Sequence, residues 1–353
     1  MVTSLPLLPA PLDFPAFDSR LKSYRSQIAP FLQQAIPRGE PRKHLYDLVQ
    51  AQLDRGGKGI RPAICLATCS AFGGDPARAL PSAAALELLH NAFLVHDDIE
   101  DASEYRRGKP TLHREYGTPL AVNTGDAMNA ISARLLKQNF TLLGPQLGVR
   151  VLDEFDHMST ETIEGQAMEL GWIRDNDCDT SEQDYLRMVL KKTSWYSFIH
   201  PMRIGALIAQ PGREDLDVFN RFGYFLGTAF QIQDDVLNLT GDRGKYGKEI
   251  GGDLLEGKRT LILAHLFRQV SPIEKQRLAG FLGKPRSQRL PRELAWVYEL
   301  LHKYGSIDYA RTAARDFADG ARRELGTAYA GAAPGADLDF ISSLLDYMVN
   351  RDA

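Results

Sequence analysis

The sequence predicts an all-α protein, built as one large single-domain helical bundle. Three observations carry this. Apolar residues recur at helical spacing in segment after segment, and no run shows strand alternation or a strand–helix–strand rhythm. Several segments are apolar nearly all round, as helices at the centre of a large bundle are. No linker divides the chain, so residues 41–353 read as one domain after an N-terminal extension and first helix over 1–40.

The opening residues, MVTSLPLLPAPLDFPAF, hold several prolines and lack the basic start of a secretion signal, and they read as an extension or docking arm. A weakly amphipathic helix follows over 17–36 and is broken between Pro37 and Pro41. Helix resumes over 44–53 and stops at Gly56 and Gly57. Residues 62–72 (PAICLATCSAF) form an apolar helix opening on proline, a favoured first position. Long apolar helices cover 81–101 and, after Gly117, Thr118 and Pro119, 120–140. Residues 148–170 are amphipathic. A helix over 181–207 has Ser181 as N-cap with Glu182 and Asp184 in its first turn, and Pro201 is expected to kink or break it. Another apolar helix, 216–239, leads into a loop rich in Gly, Lys and Asp over 240–258. Helices at 260–270, 273–282, 291–304, 307–325 and 338–349 complete the chain.

Composition narrows the function. The chain of 353 residues is 44% hydrophobic and 25% charged, an ordinary composition for a protein in water. A net charge of −3 argues against a nucleic-acid partner held by bulk charge. Three cysteines, an odd number, give no disulfide framework and point to a reducing cytoplasm. Cys65 and Cys69 stand one helical turn apart with no other ligand type beside them, and read as core packing. There is no apolar run of about 18 residues, so no stable membrane insertion is expected.

Chemistry concentrates at 88–113, LLHNAFLVHDDIEDASEYRRGKPTLH. An apolar helix runs into Asp97, Asp98, Glu100 and Asp101, and Arg106, Arg107 and Lys109 follow. On a helix, Asp97 and Asp101 share one face. Acids so crowded repel unless cations neutralise them, and Mg²⁺ binds through one or two carboxylates plus a substrate's phosphates. The arginines would hold the phosphate oxygens that a metal leaves free. Taken alone, such a charge run is usually a solvated helix end; the apolar lead-in weakens that reading.

A second acidic helix end recurs in FQIQDDVLNLTGDRGKYGKEIGGDLLEGKRT, residues 230–260. Asp234 and Asn238 are four apart, Asp235 adjoins Asp234, and Lys245, Lys248 and Lys258 flank them. Two such ends could face across one cavity and hold several Mg²⁺ ions and one diphosphate. In GGKGIRP, residues 56–62, Lys58 and Arg61 precede a helix N-terminus, which suits an anion without a metal. Lys191, Lys192 and Thr193 lie mid-helix, where lysines usually point to solvent.

At these residues the chain resembles the trans-isoprenyl diphosphate synthases, the polyprenyl synthetase family. The matching stretches, in the family's order, are GGKGIRP, LLHNAFLVHDDIED, RRGKPTLH, Lys191-Lys192-Thr193, FQIQDDVLN and GGDLLEGKRT. The resemblance implies an isoprenoid-synthase-type bundle around a central apolar cavity, usually as a homodimer. It implies that Asp97, Asp98 and Asp101 bind the first Mg²⁺ ions and Asp234 and Asp235, with Asn238, the second site, three ions in all. Arg106, Lys192, Thr193 and Lys258, with Gln231 and Lys248, would serve the allylic diphosphate. Lys58, Arg61, His90 and Arg107 would hold isopentenyl diphosphate. Two positions depart from the pattern: Gly59 stands where many members carry arginine, and Asn238 replaces the third aspartate of the second motif. Eukaryotic-type geranylgeranyl diphosphate synthases share that asparagine.

The reaction so implied is prenyl transfer. Pyrophosphate leaves the allylic substrate, an apolar wall keeps water from the cation, and the double bond of isopentenyl diphosphate attacks. The resemblance makes Ala92 and Phe93 the floor under the growing chain. One small and one bulky residue suggest an intermediate, twenty-carbon product, with farnesyl or longer products as alternatives. A class I terpene cyclase is the rival enzyme, with Asp234, Asn238 and Asp242 near its triad spacing, but it needs only one diphosphate site. A non-catalytic partner subunit is the rival outside catalysis, and the intact DDxxD argues against it.

Overall fold

The structure, a computed structural model, describes residues 15–213, 215–241 and 249–350. Those residues are helical almost throughout, as expected. The helices are α1 (Pro15–Ala35), α2 (Asp47–Leu53), α3 (Ile60–Ala71), α4 (Pro76–Glu100), α5 (Leu112–Tyr116), α6 (Thr118–Leu142), α7 (Pro145–Arg174), α8 (Glu182–Val189), α9 (His200–Ala209) and α10 (Val218–Thr240). Beyond the loop come α11 (Gly252–Glu256), α12 (Leu261–Gln269), α13 (Pro272–Leu282), α14 (Pro291–Lys303), α15 (Ser306–Ala328) and α16 (Ala336–Asn350).

Two apolar cores organise the packing. One joins α1, α3, α4, α6, α7, α9, the first half of α10 and α16; the other joins α8, the second half of α10 and α11 to α15. Helix α10 enters both cores, and its acidic end lies in the half packed into the second. Helix α1 docks on the first core: the Phe17 ring stacks 4.9 Å from Phe340 and 4.5 Å from Tyr347. Residues 1–14 lie outside the described residues.

Three local features differ from expectation. Helix α4 begins before Pro81, because Asp75 accepts a hydrogen bond from the Ala77 N–H at 2.9 Å and Pro76 sets the first turn. Pro201 does not interrupt its helix. Leu190–Ile199 adopts wider, π-type turns, and the rod returns to α geometry at His200. A residue without an N–H costs least at such a change of register. A short antiparallel ladder also appears, Tyr105–Arg106 against Lys109–Pro110. Its turn has Arg107 at φ 54° and Gly108 at φ 75°, the two left-handed residues of a type I′ hairpin.

The joint between α7 and α9 is ionic. Glu154 accepts hydrogen bonds from His200 Nδ1 and Arg203 Nε, both at 2.7 Å, and from Arg203 Nη2 at 2.9 Å. Burial opposes its charge, but these donors prevail and hold the carboxyl at about 2, against an ordinary 4.5. A carboxyl depressed on folding stabilises above its unfolded pKa, and that stability drains away as pH falls from about 4.5 towards 2. Glu154→Gln is therefore expected to flatten the loss of unfolding free energy across this window by ~2–3 kcal/mol. Denaturant titrations between pH 5 and pH 2.5 check this; parallel curves for the two proteins would contradict it.

Candidate active site

The apolar side of α4, with Leu88, Leu89, Ala92 and Val95 in the core, ends at the first acid cluster. Asp98 and Asp101 are buried and Asp97 is half-buried. The I′ hairpin folds Arg106 back onto them: its Nε donates to Asp98 Oδ1 at 2.7 Å and its Nη2 to Asp97 Oδ2 at 3.3 Å. Burial disfavours this guanidinium's charge, but Asp98 and Asp97 outweigh it and raise its pKa.

Two lysines close the other sides. Lys192 pairs with Glu169 and lies 3.6 Å from Asp97 Oδ1. The π-type segment carrying it can approach α7 because residue 165 is glycine; a Cβ there would sit 2.4 Å from the Lys192 backbone nitrogen. Lys258 Nζ lies 2.6 Å from Asp101 Oδ2 and 3.0 Å from Glu256 Oε2. Gln166 donates to Glu100 at 2.6 Å and reaches Asp97 Oδ1 at 3.5 Å. Burial pushes the Asp101 carboxyl up to about 7; Lys258 opposes this while Asp97 and Glu256 add to it. Its Oδ1 is buried and accepts no hydrogen bond among the described residues.

On α10, Asp234 is half-buried while Asp235 and Asn238 are buried. Asp235 accepts from the Tyr185 hydroxyl at 2.7 Å and from Gln231 Nε2 at 2.9 Å, and Thr193 donates to Gln231 Oε1 at 2.9 Å. Burial, reinforced by Asp253, pushes the Asp235 carboxyl well up. Asn238 Oδ1 accepts the Asp253 N–H at 3.0 Å. Protein donors thus engage oxygens of both Asp235 and Asn238. Helical spacing placed them near Asp234, but tertiary packing turned them towards α8 and α11. Lys248, with Lys245 and Asp242, lies outside the described residues.

A second basic group stands apart from the aspartates. Arg61 Nη1 lies 3.2 Å from His90 Nε2, and Arg61 Nη2 donates to the Tyr196 hydroxyl at 2.7 Å and Ser197 Oγ at 2.8 Å. Burial, then Arg61 and Arg107, hold the His90 pKa well below the usual value, so the imidazole is neutral at pH 7. Arg107 lies against Gly57, where a Cβ would sit 2.8 Å from its Nη2. Lys58 is exposed, with its Nζ 5.4 Å from the Tyr347 ring centroid. The structure therefore gathers Arg61, His90 and Arg107 and sets Lys58 towards α16. Ala92 is packed in the first core; Phe93 is half-buried, its ring edge-on to Tyr196 at 5.9 Å.

Sequence reasoning missed Gln166, Glu169, Tyr185, Tyr196, Asp253 and Glu256. Asp253 and Glu256 had a signal, since they precede Lys258 within the GGDLLEGK run. The α7 and α8 residues had none, because nothing in their own sequence marks what they face.

Comparison with known proteins agrees with this geometry. The polyprenyl synthetase family model matches residues 42–301. The chain is 34% identical to a geranylgeranyl diphosphate synthase of Sulfolobus acidocaldarius, over 85% of this chain and 88% of that one. It superposes on a geranylgeranyl pyrophosphate synthetase of Pyrococcus horikoshii Ot3 with a TM-score of 0.82 at 33% identity, over 95% of this chain and 98% of that one. It matches a geranylgeranyl pyrophosphate synthase of Corynebacterium glutamicum, complexed with isoprenyl diphosphate and magnesium, at TM-score 0.81 and 26% identity, over 94% and 99% of the two chains. With a family match over most of its length, full-length neighbours and the motif residues gathered at one end of α4, the chain belongs to the polyprenyl synthetase family of trans-prenyltransferases.

Proposed function

We propose that this protein condenses isopentenyl diphosphate with an allylic diphosphate to make a short all-trans prenyl diphosphate, geranylgeranyl diphosphate. One observation carries the reading: two cationic groups stand at the same end of α4. Arg106, Lys192 and Lys258 are interleaved with aspartates, whereas Arg61, His90 and Arg107 form a second group. Two diphosphates need two such sites; a cyclase needs one. The names of the relatives support the twenty-carbon product.

The residues suit Mg²⁺, which the family uses. Asp101 offers a buried oxygen without a hydrogen bond, and Asp97 and Asp234 are half-buried hard donors. Asp97, Asp101 and Asp234 are the ligands we favour, for three ions. Bound there, the metal supplies positive charge to the leaving diphosphate. Arg106, Lys192 and Lys258 hold that diphosphate and stabilise its growing charge. Asp98 orients Arg106, and Asp235 orients Gln231 beside Thr193. Arg61, His90 and Arg107, with Lys58, hold isopentenyl diphosphate so that its double bond meets the allylic carbon. No side chain need act as a strong base, since departing pyrophosphate can take the proton.

The test supplies labelled isopentenyl diphosphate with dimethylallyl, geranyl or farnesyl diphosphate and Mg²⁺. Longer prenyl diphosphates support the reading. Hydrocarbon from the allylic substrate alone indicates a cyclase, and no turnover indicates a partner subunit. Ala92→Phe is expected to shorten the product, and chromatography of the dephosphorylated alcohols reads it; an unchanged length removes Ala92 from the floor of the cavity. We further propose a catalytic unit at 41–353, with α1 docked on it, in a cytoplasmic homodimer. Val122 and Leu142 on α6 and Val149, Leu152 and Ile163 on α7 are large apolar side chains left exposed, which fits a partner surface. The three cysteines are free thiols, and no described helix is long and apolar enough to cross a membrane. Light scattering in solution measures the assembly.

A further inference from the structure

We infer that Arg289, far along the chain from both acidic motifs, is a positioning residue that sets Lys258 against Asp101. This rests on the reading of Lys258 as a ligand of the allylic diphosphate. Lys258 follows Gly257, which closes the short helix α11 in a left-handed conformation at φ 81°. A helix end leaves carbonyls without intrahelical partners, and a nearby cation satisfies them. Arg289 does this for two helices at once. Its Nη1 donates to Leu254 O at 3.0 Å and Leu255 O at 2.5 Å, in the last turn of α11. Its Nη2 donates to Leu282 O at 2.6 Å and its Nε to Phe281 O at 3.3 Å, in the last turn of α13. The side chain is buried, and burial with Arg259 and Arg286 draws its pKa down to about 10, so it remains charged at pH 7.

The neighbouring residues form the rest of the clamp. Arg259 donates to Asp177 O and Asn176 Oδ1, each at 2.7 Å, and also to the Gly257 carbonyl. The peptide segment bearing Lys258 is thereby held between two guanidinium groups. The Gly257 and Lys258 N–H groups both reach Asp253 O at 2.9 Å, so the turn has little freedom left. A Cβ on Gly257 would lie 2.8 Å from Arg289 Nη2, so any side chain there displaces the clamp as well as straining the backbone. Lysine cannot replace Arg289, because one ammonium cannot span four carbonyls on two helices. This gives the α13–α14 region a place in the active site that its own sequence does not announce.

The test compares Arg289→Ala, Arg289→Lys and Gly257→Ala with the parent enzyme. Arg289→Ala and Gly257→Ala are expected to raise KM for the allylic diphosphate about tenfold while KM for isopentenyl diphosphate stays within about twofold. Arg289→Lys should resemble Arg289→Ala. Added guanidinium or ethylguanidinium at low millimolar concentration should recover part of the Arg289→Ala loss and none of the Gly257→Ala loss. Both KM values unchanged, or both altered alike without rescue, would overturn the inference. Should Arg289→Ala not fold, Arg289→Lys reads the same contacts. A parent enzyme that makes no longer prenyl diphosphate would instead sink the reading of function on which this one stands.

Discussion

Asp97→Ala is expected to lower kcat by roughly 10³-fold while changing stability by less than about 1 kcal/mol. The two effects separate because of who else holds its partners. Asp97 is half-buried, 3.3 Å from Arg106 and 3.6 Å from Lys192. Arg106 keeps Asp98 at 2.6 Å, and Lys192 keeps Glu169. Neither cation is stranded, so the fold has little to lose. On the proposed mechanism the reacting diphosphate loses a carboxylate that anchors its metal, so the chemical step has much to lose. KM for isopentenyl diphosphate should stay within about twofold, because Arg61 is held by His90, Tyr196 and Ser197, and Asp97 is only a minor charge on His90. Steady-state kinetics beside a denaturation curve make the comparison. A loss of only a few-fold in kcat would place Asp97 away from the reacting centre.

Arg106→Met should damage both activity and stability, in a pH-dependent way. Asp98 is 2% exposed, and Arg106 is its buried guanidinium partner. Removing one member of a buried pair costs ~3–5 kcal/mol, since the remaining charge is left in a poor dielectric. The variant's Asp98 escapes that cost by taking a proton. Its folded pKa then lies above its unfolded one, so the deficit is greatest at neutral pH and shrinks as pH falls through the folded pKa. Activity should not return at low pH, because the cation proposed to hold the leaving diphosphate is gone. Thermal unfolding from pH 8 to pH 5 reads the first effect and product formation the second. A deficit that is constant across this range would mean that Asp98 is not buried as a charge in the variant.

The helices were legible because their information is local. Apolar spacing, Ser181 and the proline pairs mark ends through contacts within a turn or two. The acid clusters were legible for the same reason: the i, i+4 relation of Asp97 and Asp101 survives into the folded chain. The start of α4 was misplaced because two prolines competed, and Asp75 settled it with one capping bond. The π-type turns around Lys192 were not legible. They depend on Gly165, which no helix periodicity marks, and on the close approach of α7 that it permits.

The sequence by itself determined the all-α architecture, the two acidic helix ends and the basic residues that accompany them, since each follows from spacing along one strand of covalent chain. Only the tertiary structure decided what those groups face. It separated Asp234, half-buried, from Asp235 and Asn238, whose oxygens protein donors occupy. It brought Glu169, Glu256 and Arg289 to a site that their own neighbours in sequence do not describe. The physical reason is that burial and long-range hydrogen bonds are properties of distance in space, and helical periodicity reports only direction around an axis.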